Sequence, residues 1–304
     1  MKVAVIGAGA MGSLFGGRLA QLGHEVTMVD VVPAVIEAIN KNGLIVEDDE
    51  GRHVVPLKAC RAEDLKTPMD LVLLFTKTMY SRSAMQTAGG FIGPETYLLS
   101  LQNGLGNVEL INEFVPMERI MVGVTRMSSD LVAPGHIQSH GSGYTKIMSA
   151  DGQVRPMLET IVAELERAKL EGSMAPNIFA AIWEKAAFNA AINSTSAVCR
   201  TPCGPVGQIE EGRALAFNIA REAVTVARAC GIEASEKAVV DSLKATFDVH
   251  KDHMTSMGQD ILAKRRTEID SINGQIVKKA REKGLSVPYT ETLYALVRII
   301  EESY

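Results

Sequence analysis

The sequence predicts an α/β protein with two parts, a doubly wound parallel sheet in the N-terminal half and an all-helical C-terminal domain. Three observations lead to this prediction. Short aliphatic strands alternate with helical segments in the first half, a glycine-rich turn directly follows the first strand, and helical periodicity dominates from Asn177 onward. Because 304 residues are too many for one ordinary core, we place two domains at residues 1–175 and 176–304.

Composition argues against several classes of function. The chain has 31 basic and 36 acidic side chains, a net charge of -5, and therefore no basic footprint for nucleic acid or an acidic membrane. The apolar run at its start is too short for a signal peptide, and no apolar stretch approaches the length that spans a bilayer. Four cysteines in a chain of this length are typical of reduced thiols. We expect a cytoplasmic protein with no nucleic-acid or membrane partner.

The histidines and cysteines do not predict a metal site. His136 and His140 stand in a segment rich in glycine and serine that is typical of a hairpin, where such a pair is usually solvated rather than bound to a metal. Cys199 and Cys203 could form only half of a ligand set, because no second pair accompanies them. We therefore expect no metal.

The start of the chain contains a phosphate-binding pattern. Residues 2–6 (KVAVI) predict a strand, residues 7–12 (GAGAMG) a turn, and a helical segment follows, in the order that the dinucleotide-binding fingerprint requires. Gly7 allows the tight turn, Gly9 lets a pyrophosphate approach the backbone, and Gly12 lets the helix pack on the strand. A plain glycine-rich turn is the alternative. The candidate cofactor-binding residues of this Rossmann-type domain are Gly7, Ala8, Gly9, Ala10, Met11 and Gly12.

Asp30 ends the second predicted strand (residues 25–30, EVTMVD) and is the candidate partner of an adenine ribose. Its carboxylate can accept the ribose hydroxyls but would repel a 2′-phosphate by about 1 to 4 kcal/mol at a separation of about 4 Å. No lysine or arginine occurs in residues 31–40 to offset this repulsion. The sequence therefore favours NADH over NADPH, unless Asp30 only caps the strand end.

Further strands are predicted at residues 70–75, 97–101 and 119–124. Two of them are followed by polar side chains, Lys77 after the first and Asn103 after the second. Because the carboxyl ends of parallel strands face the ligand crevice, both side chains are candidates for contact with a cofactor or substrate. The alternative is that they are ordinary turn residues.

An additional hairpin is predicted before the helical half. It covers residues 130–149, with Pro134-Gly135 and Gly141-Ser142-Gly143 as its turns. An amphipathic helix over residues 154–170 then precedes the break in the pattern around Pro176.

Residues 181–198 (AIWEKAAFNAAINSTSAV) contain the most unusual pattern of the helical half. Lys185, Asn189 and Asn193 recur at steps of four, and four residues turn a helix by roughly 400°, so the three side chains follow one face. Their neighbours are small and apolar. A lysine and two amides are costly to bury among alanines unless something hydrogen-bonds them.

A carboxylate has a similar position farther along the chain. If residues 261–276 form one helix, Glu268 lies on the same face as Ile261 and Ile272. Glu268 and Lys185 could form a structural ion pair, but buried pairs often add little stability. Beside a nicotinamide, the same residues would form a site for a polar carbonyl substrate.

Five motifs together resemble the ketopantoate reductase (2-dehydropantoate 2-reductase) family over nearly the whole chain. They are GAGAMG, FTKT around Lys77, QNG around Asn103, K-x3-N-x3-N from Lys185, and SMxQD with TEID between Ser256 and Asp270. The resemblance implies a Rossmann domain followed by a helical domain, and reduction of a 2-keto acid to the D-2-hydroxy acid by hydride transfer from NAD(P)H. The expected substrate is ketopantoate, in the biosynthesis of pantothenate, and the family also includes homodimers.

The resemblance also implies roles for individual residues. Lys185 matches the general acid that protonates the carbonyl oxygen, and Glu268 matches the carboxylate that holds a substrate hydroxyl. Lys77 matches a residue of the cofactor site. For Ser256 there is an alternative, because Ser256 and Gln259 also match a helix capping box. Substrate contacts are implied for four residues, of which the first is also near the nicotinamide: Asn103, Asn189, Asn193 and Ser256.

The chain departs from the family at two places. The best-known members use NADPH and have a basic residue just after the second strand, whereas Asp30 is followed here by Val31-Val32-Pro33. His253 stands where the family often has asparagine. Both departures favour an alternative, an NAD-dependent D-2-hydroxyacid dehydrogenase of the D-mandelate type that acts on branched or aromatic 2-keto acids. A non-catalytic dinucleotide-binding sensor is the alternative of another class, but it has little reason to keep the polar stripe of residues 181–198.

Overall fold

Two sheets are built from the strands of the N-terminal half. The computed structural model describes residues 1–141 and 143–304 of the chain. The strands are β1 (Lys2–Ile6), β2 (Glu25–Val29), β3 (Leu44–Asp48), β4 (Gly51–Val55), β5 (Lys58–Cys60), β6 (Leu71–Leu74), β7 (Tyr97–Ser100), β8 (Ile120–Thr125), β9 (Ser129–Ala133), β10 (His136–Ser139), β11 (Thr145–Ser149) and β12 (Gly172–Met174).

Helices alternate with these strands and then make up the C-terminal half. No helix within the two described ranges has both the length and the apolar character that crossing a bilayer requires. The helices are α1 (Ala10–Gln21), α2 (Pro33–Asn42), α3 (Ser81–Thr87), α4 (Asn107–Ile111), α5 (Pro156–Arg167), α6 (Ile178–Cys199), α7 (Cys203–Gln208), α8 (Glu210–Ala229), α9 (Glu236–Val249), α10 (Ser256–Leu262), α11 (Asn273–Glu282) and α12 (Pro288–Glu301).

The larger sheet has the doubly wound order that the sequence predicts. Its strands lie in the order β12-β11-β8-β7-β6-β1-β2-β5, and those from β8 to β5 are parallel. The chain moves outward from β1 through β2 to β5, then returns to the other side of β1 and moves outward again through β6, β7 and β8. The strand order reverses beside β1, and ligands bind at such a switch point outside the carboxyl ends of the strands. The predicted α/β fold class is confirmed.

Strand register brings two of the predicted site residues, Gly7 and Asp30, to this switch point. Ile6 pairs with Val29 of β2 on one side and with Leu74 of β6 on the other. The next residues along the chain are therefore Gly7, Asp30 and Phe75, at one edge of the sheet. The central strands are buried on both faces, as a parallel sheet covered by helices requires.

The predicted hairpin at residues 130–149 is only partly correct. Strands β9 and β10 do form an antiparallel hairpin around Pro134-Gly135, with Gly135 at φ +70. Strand β10 also pairs with β3, so the smaller sheet has the order β4-β3-β10-β9. Strand β11 instead joins the larger sheet beside β8, and Ser142 of the second predicted turn lies outside the described residues. Pairing partners far away in the sequence, which periodicity does not reveal, decide this split.

The chain divides into two structural units. The first contains residues 1–102 and 107–178, and the second contains residues 103–106 and 179–304. The four residues around Asn103 thus belong to the helical unit although strand β7 precedes them directly. The core of the helical unit forms around α6, whose alanines from Ala186 to Ala197 are almost completely buried.

One helix of the second unit is shorter than predicted. Residues 261–276 do not form one helix, because α10 ends at Leu262 and α11 begins at Asn273. Lys264 has φ +52, which is incompatible with an α-helix, and the buried hydroxyl of Thr267 accepts a hydrogen bond from the N–H of Ile269. Glu268 therefore lies in a turn segment, residues 263–272, which we call the Glu268 turn.

Candidate active site

The glycine turn has the geometry of a phosphate cradle. Gly7 has φ +99, and a Cβ there would lie 2.9 Å from the backbone nitrogen of Thr76. A Cβ on Gly12 would lie 1.9 Å from the carbonyl oxygen of Gly7, so only glycine lets α1 pack this closely. A Cβ on Gly9 would meet nothing within 4 Å. Each glycine thus does what the fingerprint requires, two by close packing and the third by leaving the approach to the backbone open.

Helix α1 begins at this turn without a side-chain cap. Gly9 is its N-cap and has an extended backbone, and no side chain of the described residues caps the first turn. The N–H groups at the start of a helix have no partner within the helix. Ala10 and Met11 therefore present donors at the positive end of the helix dipole, a combination that suits the pyrophosphate of a dinucleotide.

Asp30 connects the glycine turn to the end of β2. Its Oδ2 accepts a hydrogen bond of 2.7 Å from the N–H of Ala8. Its Oδ1 accepts bonds of 2.8 and 2.9 Å from the N–H groups of Val31 and Val32. Asp30 thus does cap the strand end, and a carboxylate with about four acceptor positions retains capacity for one further donor. The side chains of Val31 and Val32 are exposed at 73% and 46% beside it.

The structure brings a cation near Asp30 that is not adjacent in the sequence. Arg61 follows β5, the neighbour of β2, and its Nη1 lies 3.4 Å from the carbonyl oxygen of Val31. Its Nε donates to Glu63 at 2.6 Å, and this bond holds the pKa of Glu63 below its ordinary value. The guanidinium is therefore already paired with an acid. Sequence reasoning missed Arg61, because only the parallel pairing of β2 with β5 places it here.

Lys77 lies in a turn that Gln102 holds in place. Lys77 is partly buried and follows β6. The amide nitrogen of Gln102 donates to the carbonyl oxygen of Thr76 at 2.6 Å and to the Ser81 hydroxyl at 2.7 Å. Its amide oxygen accepts from Ser100 at 3.0 Å. Of the QNG motif only Asn103 was a predicted site residue, although Gln102 follows the same strand end and has the same polar character.

The polar stripe lies on one continuous helix, as predicted. Helix α6 spans residues 178–199 and carries Lys185, Asn189 and Asn193 on successive turns. Lys185 is partly buried, and the two asparagines are each only 7% exposed. Neighbouring alanines on α6 are 0 or 1% exposed, so the stripe is embedded in a tightly packed helix.

The two asparagine side chains have no hydrogen-bond partner among residues 1–141 and 143–304. Neither Asn189 nor Asn193 has an amide atom among those that are fully sealed from solvent, so both amides still reach accessible space. An amide that is nine-tenths buried and bonds no protein group is only partly hydrated, which lowers stability by up to about 1 to 3 kcal/mol. A bound polar molecule would remove that cost, and this is the strongest indication of a ligand site on α6.

Replacing Asn193 by leucine should therefore stabilise the protein while it weakens the site. We expect the free energy of unfolding to rise by about 1 kcal/mol, because an apolar side chain of similar volume replaces an unsatisfied amide. The kcat/KM for the keto acid should fall by a factor of about 10 or more, because a polar group of the keto acid loses the Asn193 amide as its hydrogen-bond partner. Denaturant unfolding and initial rates measure the two effects.

Asn273 offers a matched control for this prediction. It is 0% exposed and also touches α6, but its amide nitrogen lies 3.3 Å from the carbonyl oxygen of Ala190 and 3.4 Å from the Ser194 hydroxyl. Asn273→Leu should destabilise the protein, since it removes both of these buried hydrogen bonds. A loss of stability in Asn193→Leu as large as that in Asn273→Leu would mean that Asn193 has a structural partner.

Glu268 and Asn103 lie together in the helical unit. The amide nitrogen of Asn103 donates to Oε2 of Glu268 at 3.2 Å, and both side chains are partly buried. The next residue, Gly104, has φ +82, and a Cβ there would lie 2.4 Å from the carbonyl oxygen of Ser271. The N–H of Leu105 donates to that same oxygen at 2.8 Å. Two predicted site residues separated by 165 positions are thus in direct contact.

Ser256 is not the cap of its helix. The N-cap of α10 is Thr255, whose hydroxyl accepts the N–H of Gly258 at 3.1 Å. The capping-box alternative for Ser256 and Gln259 is therefore wrong by one residue. Ser256 is exposed, and its hydroxyl makes no hydrogen bond with the described parts of the chain. His253 is also exposed, in the segment that precedes α10.

Among the residues that the structure describes, one group of possible metal ligands occurs, in the smaller sheet and away from the predicted residues. Asp48, Glu50 and His53 have ligand atoms within 4.8 Å of one another. Asp48 is paired with Arg18 at 2.9 Å, and Glu50 is paired with Lys169. Two cations therefore already balance the two acids, and ion pairing accounts for the cluster. All four cysteines are free thiols, and burial raises the pKa of Cys203 to about 11.

Comparisons with known proteins identify the family of this chain. The family described as "Ketopantoate reductase PanE/ApbA" matches residues 3–152, and its C-terminal counterpart matches residues 177–301. A 2-dehydropantoate 2-reductase of Streptococcus pyogenes is 32% identical over 302 residues, which are 99% of this chain and 98% of that protein. One of Pyrococcus horikoshii is 34% identical over 301 residues, again 99% and 98% of the two chains.

Solved structures include similar proteins of two kinds. A D-mandelate dehydrogenase with NADH and anilino(oxo)acetate superimposes with a TM-score of 0.95 at 31% identity, covering 100% of this chain and 99% of that one. A PanE/ApbA family ketopantoate reductase of Ralstonia eutropha JMP134 has a TM-score of 0.93 at 30% identity, with the same coverage. Sequence similarity extends over both units at this level, and the chain belongs to the ketopantoate reductase family.

Proposed function

We propose that this protein reduces a 2-keto acid to the D-2-hydroxy acid with a nicotinamide dinucleotide, and that ketopantoate is its substrate. The observation that carries the proposal is the stripe on α6, where Lys185 is followed by two buried amides with no hydrogen-bond partner in the described parts of the chain. A keto acid has the complementary groups, a carbonyl and a carboxylate. The relatives named 2-dehydropantoate 2-reductase align with nearly the whole chain, which supports ketopantoate as the first candidate.

The first unit would hold the cofactor. The donors at the start of α1 would bind the pyrophosphate, with Gly9 leaving room for it. Asp30 would accept a hydrogen bond from the adenine ribose, and Lys77 would contact the cofactor from its turn after β6. A bound reduced nicotinamide supplies the hydride that this reduction needs.

The second unit would hold the keto acid and supply the proton. The Lys185 ammonium would donate its proton to the carbonyl oxygen as the carbonyl carbon becomes the carbinol carbon, and the lysine would then regain a proton from solvent. Asn189, Asn193 and Ser256 would bind the polar groups of the substrate as neutral donors and acceptors. Glu268, which is hydrogen-bonded to Asn103, would accept a hydrogen bond from a substrate hydroxyl.

The test is a set of initial rates with purified protein. NADH and NADPH are each offered with ketopantoate and with a panel of branched and aromatic 2-keto acids. A preference for ketopantoate would support a reductase of pantothenate biosynthesis. A preference for a bulkier keto acid with NADH would instead support the second candidate, a D-mandelate-type dehydrogenase, which the 0.95 TM-score and Asp30 favour. Absence of any rate would favour a dinucleotide-binding sensor.

Asp30 should determine the choice between NADH and NADPH. In Asp30→Asn the remaining amide oxygen can still accept the N–H groups of Val31 and Val32, but the negative charge is lost. We expect the ratio of kcat/KM with NADPH to kcat/KM with NADH to rise by a factor of about 10, within the range that charge repulsion permits. Adding Glu63→Gln should raise the ratio further, because it releases Arg61 from its acidic partner.

Asp64→Asn is the control for the Glu63 change. Asp64 is also in the turn after β5, but the guanidinium of Arg61 donates its hydrogen bond to Glu63 instead. The rates with both cofactors under identical salt conditions measure the ratio. An unchanged ratio in Asp30→Asn would mean that Asp30 serves only to cap the strand end. Assembly into a homodimer, which the family resemblance also implies, is tested separately by light scattering on the same preparation.

A further inference from the structure

The last helix of the chain contacts the Glu268 turn through one of its faces. Tyr294, Arg298 and Glu301 recur on α12 at steps of four and three, so they lie on the same side of the helix. Leu293 and Val297 beside them are 5% and 0% exposed, which shows that this side faces the interior of the helical unit. The sequence already indicates that Glu301 faces inward, because it follows Leu293 and Val297 at the same step of four residues along α12.

Glu301 holds the residue before Glu268. Its side chain is almost fully buried, and its Oε1 accepts the N–H of Thr267 at 2.6 Å. Thr267 is itself 3% exposed, and its hydroxyl accepts the N–H of Ile269 at 3.1 Å. A buried carboxylate is expensive without such a donor, so the contact determines where both groups can lie.

The other two residues of this face, Tyr294 and Arg298, bind Asp270, which lies two positions after Glu268. The hydroxyl of Tyr294 and Nη1 of Arg298 each donate to Oδ1 of Asp270 at 2.9 Å. Burial, and then the bond to Asp270, raise the pKa of Tyr294, so its phenol remains a donor at neutral pH. The same carboxylate raises the pKa of Arg298.

These contacts fix the backbone of Glu268 from both sides. Its carbonyl oxygen accepts the N–H groups of Ser271 and Ile272, each at 3.1 Å, which closes the turn. The carboxylate of Glu268 accepts a hydrogen bond from the amide nitrogen of Asn103. No periodic backbone structure constrains residues 263–272, so α12 supplies the support that a helix would otherwise give.

We propose that Glu301 is a positioning residue for the reaction, and that it acts by fixing the Glu268 turn so that Glu268 and Asn103 stay in contact. Tyr294 and Arg298 assist from the other end of the turn. This inference rests on the proposed function, because it assigns Glu301 a role in orienting two residues that would bind the keto acid. In this role Glu301 acts through the Glu268 turn and not by contact with substrate or cofactor.

The experiment compares three single variants and a double-mutant cycle. Glu301→Leu fills the same buried volume but accepts no hydrogen bond, whereas Glu301→Gln keeps an acceptor oxygen. Glu291→Leu is the matched control, because it changes the same residue type near the other end of α12, where Glu291 pairs with Arg281. Glu301→Leu is then combined with Glu268→Gln. The measurements are kcat and KM for the keto acid, the Kd of the reduced cofactor, and hydrogen–deuterium exchange of peptides that cover residues 100–107 and 263–272.

We expect Glu301→Leu to lower kcat/KM for the keto acid by a factor of about 10 to 100, while the cofactor Kd stays unchanged. Glu301→Gln and Glu291→Leu should remain within about threefold of the natural protein. In the Glu268→Gln background, Glu301→Leu should lower kcat/KM by no more than about twofold, because its effect passes through Glu268. Both peptides should exchange faster in Glu301→Leu alone.

Two results would overturn the proposal. One is full activity of Glu301→Leu, and the other is an additive loss in the double variant, which would show that Glu301 acts independently of Glu268. If the natural protein reduces none of the keto acids, the proposed function fails instead. The exchange data then decide the positioning role, because unchanged exchange of residues 100–107 in Glu301→Leu would contradict it without any reference to turnover.

Discussion

Replacing Lys185 by alanine should lower kcat by a factor of about 100 to 10,000, the usual contribution of a positioned general acid. Lys185 is the only ionisable member of the stripe on α6, since the other two members are Asn189 and Asn193. Neither asparagine can donate a full proton to a carbonyl oxygen, so the stripe has no substitute for the lysine. Cofactor oxidation at saturating keto acid measures kcat.

Binding of the cofactor should survive this change. Lys185 belongs to the second unit, whereas the glycine turn and Asp30 belong to the first. We expect the Kd of NADH, measured by fluorescence titration, to change by less than about threefold, since no contact with the phosphates is removed. Lys283→Ala, at an exposed position after α11, controls for loss of a positive charge in the same unit. A Lys185→Ala enzyme with the kcat of the natural protein would refute the assigned role.

Introducing an aspartate at Gly9 should abolish cofactor binding while the protein stays folded. A side chain at this position meets nothing within 4 Å, and the backbone of Gly9 has φ -74, which any residue can adopt. Aspartate is also a favoured N-cap, so Gly9→Asp should not destabilise α1. Its carboxylate would, however, lie where the pyrophosphate binds. Repulsion from two phosphate charges predicts an increase in the Kd of NADH by a factor of about 100.

Three further glycine variants separate charge, volume and packing. Gly9→Asn adds a similar side chain without charge and should weaken binding less than Gly9→Asp. Gly89→Asp places the same charge in open space elsewhere in the unit and should bind NADH normally. Gly12→Ala should instead lower the melting temperature, because its Cβ would overlap the carbonyl oxygen of Gly7. Unchanged affinity of Gly9→Asp for NADH would contradict a phosphate site at this turn.

The local features of this protein could be read from the sequence because neighbouring residues produce them. Gly7, Gly9 and Gly12 lie within one turn, so their spacing alone predicts the strand, the turn and the helix around them. Lys185, Asn189 and Asn193 lie on one face because every α-helix repeats in 3.6 residues. The family resemblance then related these positions to a reaction, and the similarity over both units confirmed the family.

Other features depend on pairing between distant segments, and periodicity gives no information about those. Residues 261–276 have a helical apolar pattern, but buried contacts from α12 stabilise a turn at Glu268 instead. A one-residue shift of the cap from Ser256 to Thr255 leaves the Ser256 hydroxyl exposed. Strand pairing brings Arg61 to the carbonyl oxygen of Val31, beside Asp30 and 30 residues earlier in the sequence.

The sequence by itself thus determined the fold class, the glycine turn and the stripe on α6, because each depends on short-range spacing. Only the tertiary structure decided that Asn103 contacts Glu268 and that Glu301 supports the Glu268 turn. Both contacts join segments whose separation in the chain is unrelated to any helical or strand repeat. Their physical cause is the burial of polar groups, which must find hydrogen-bond partners wherever the fold brings them together.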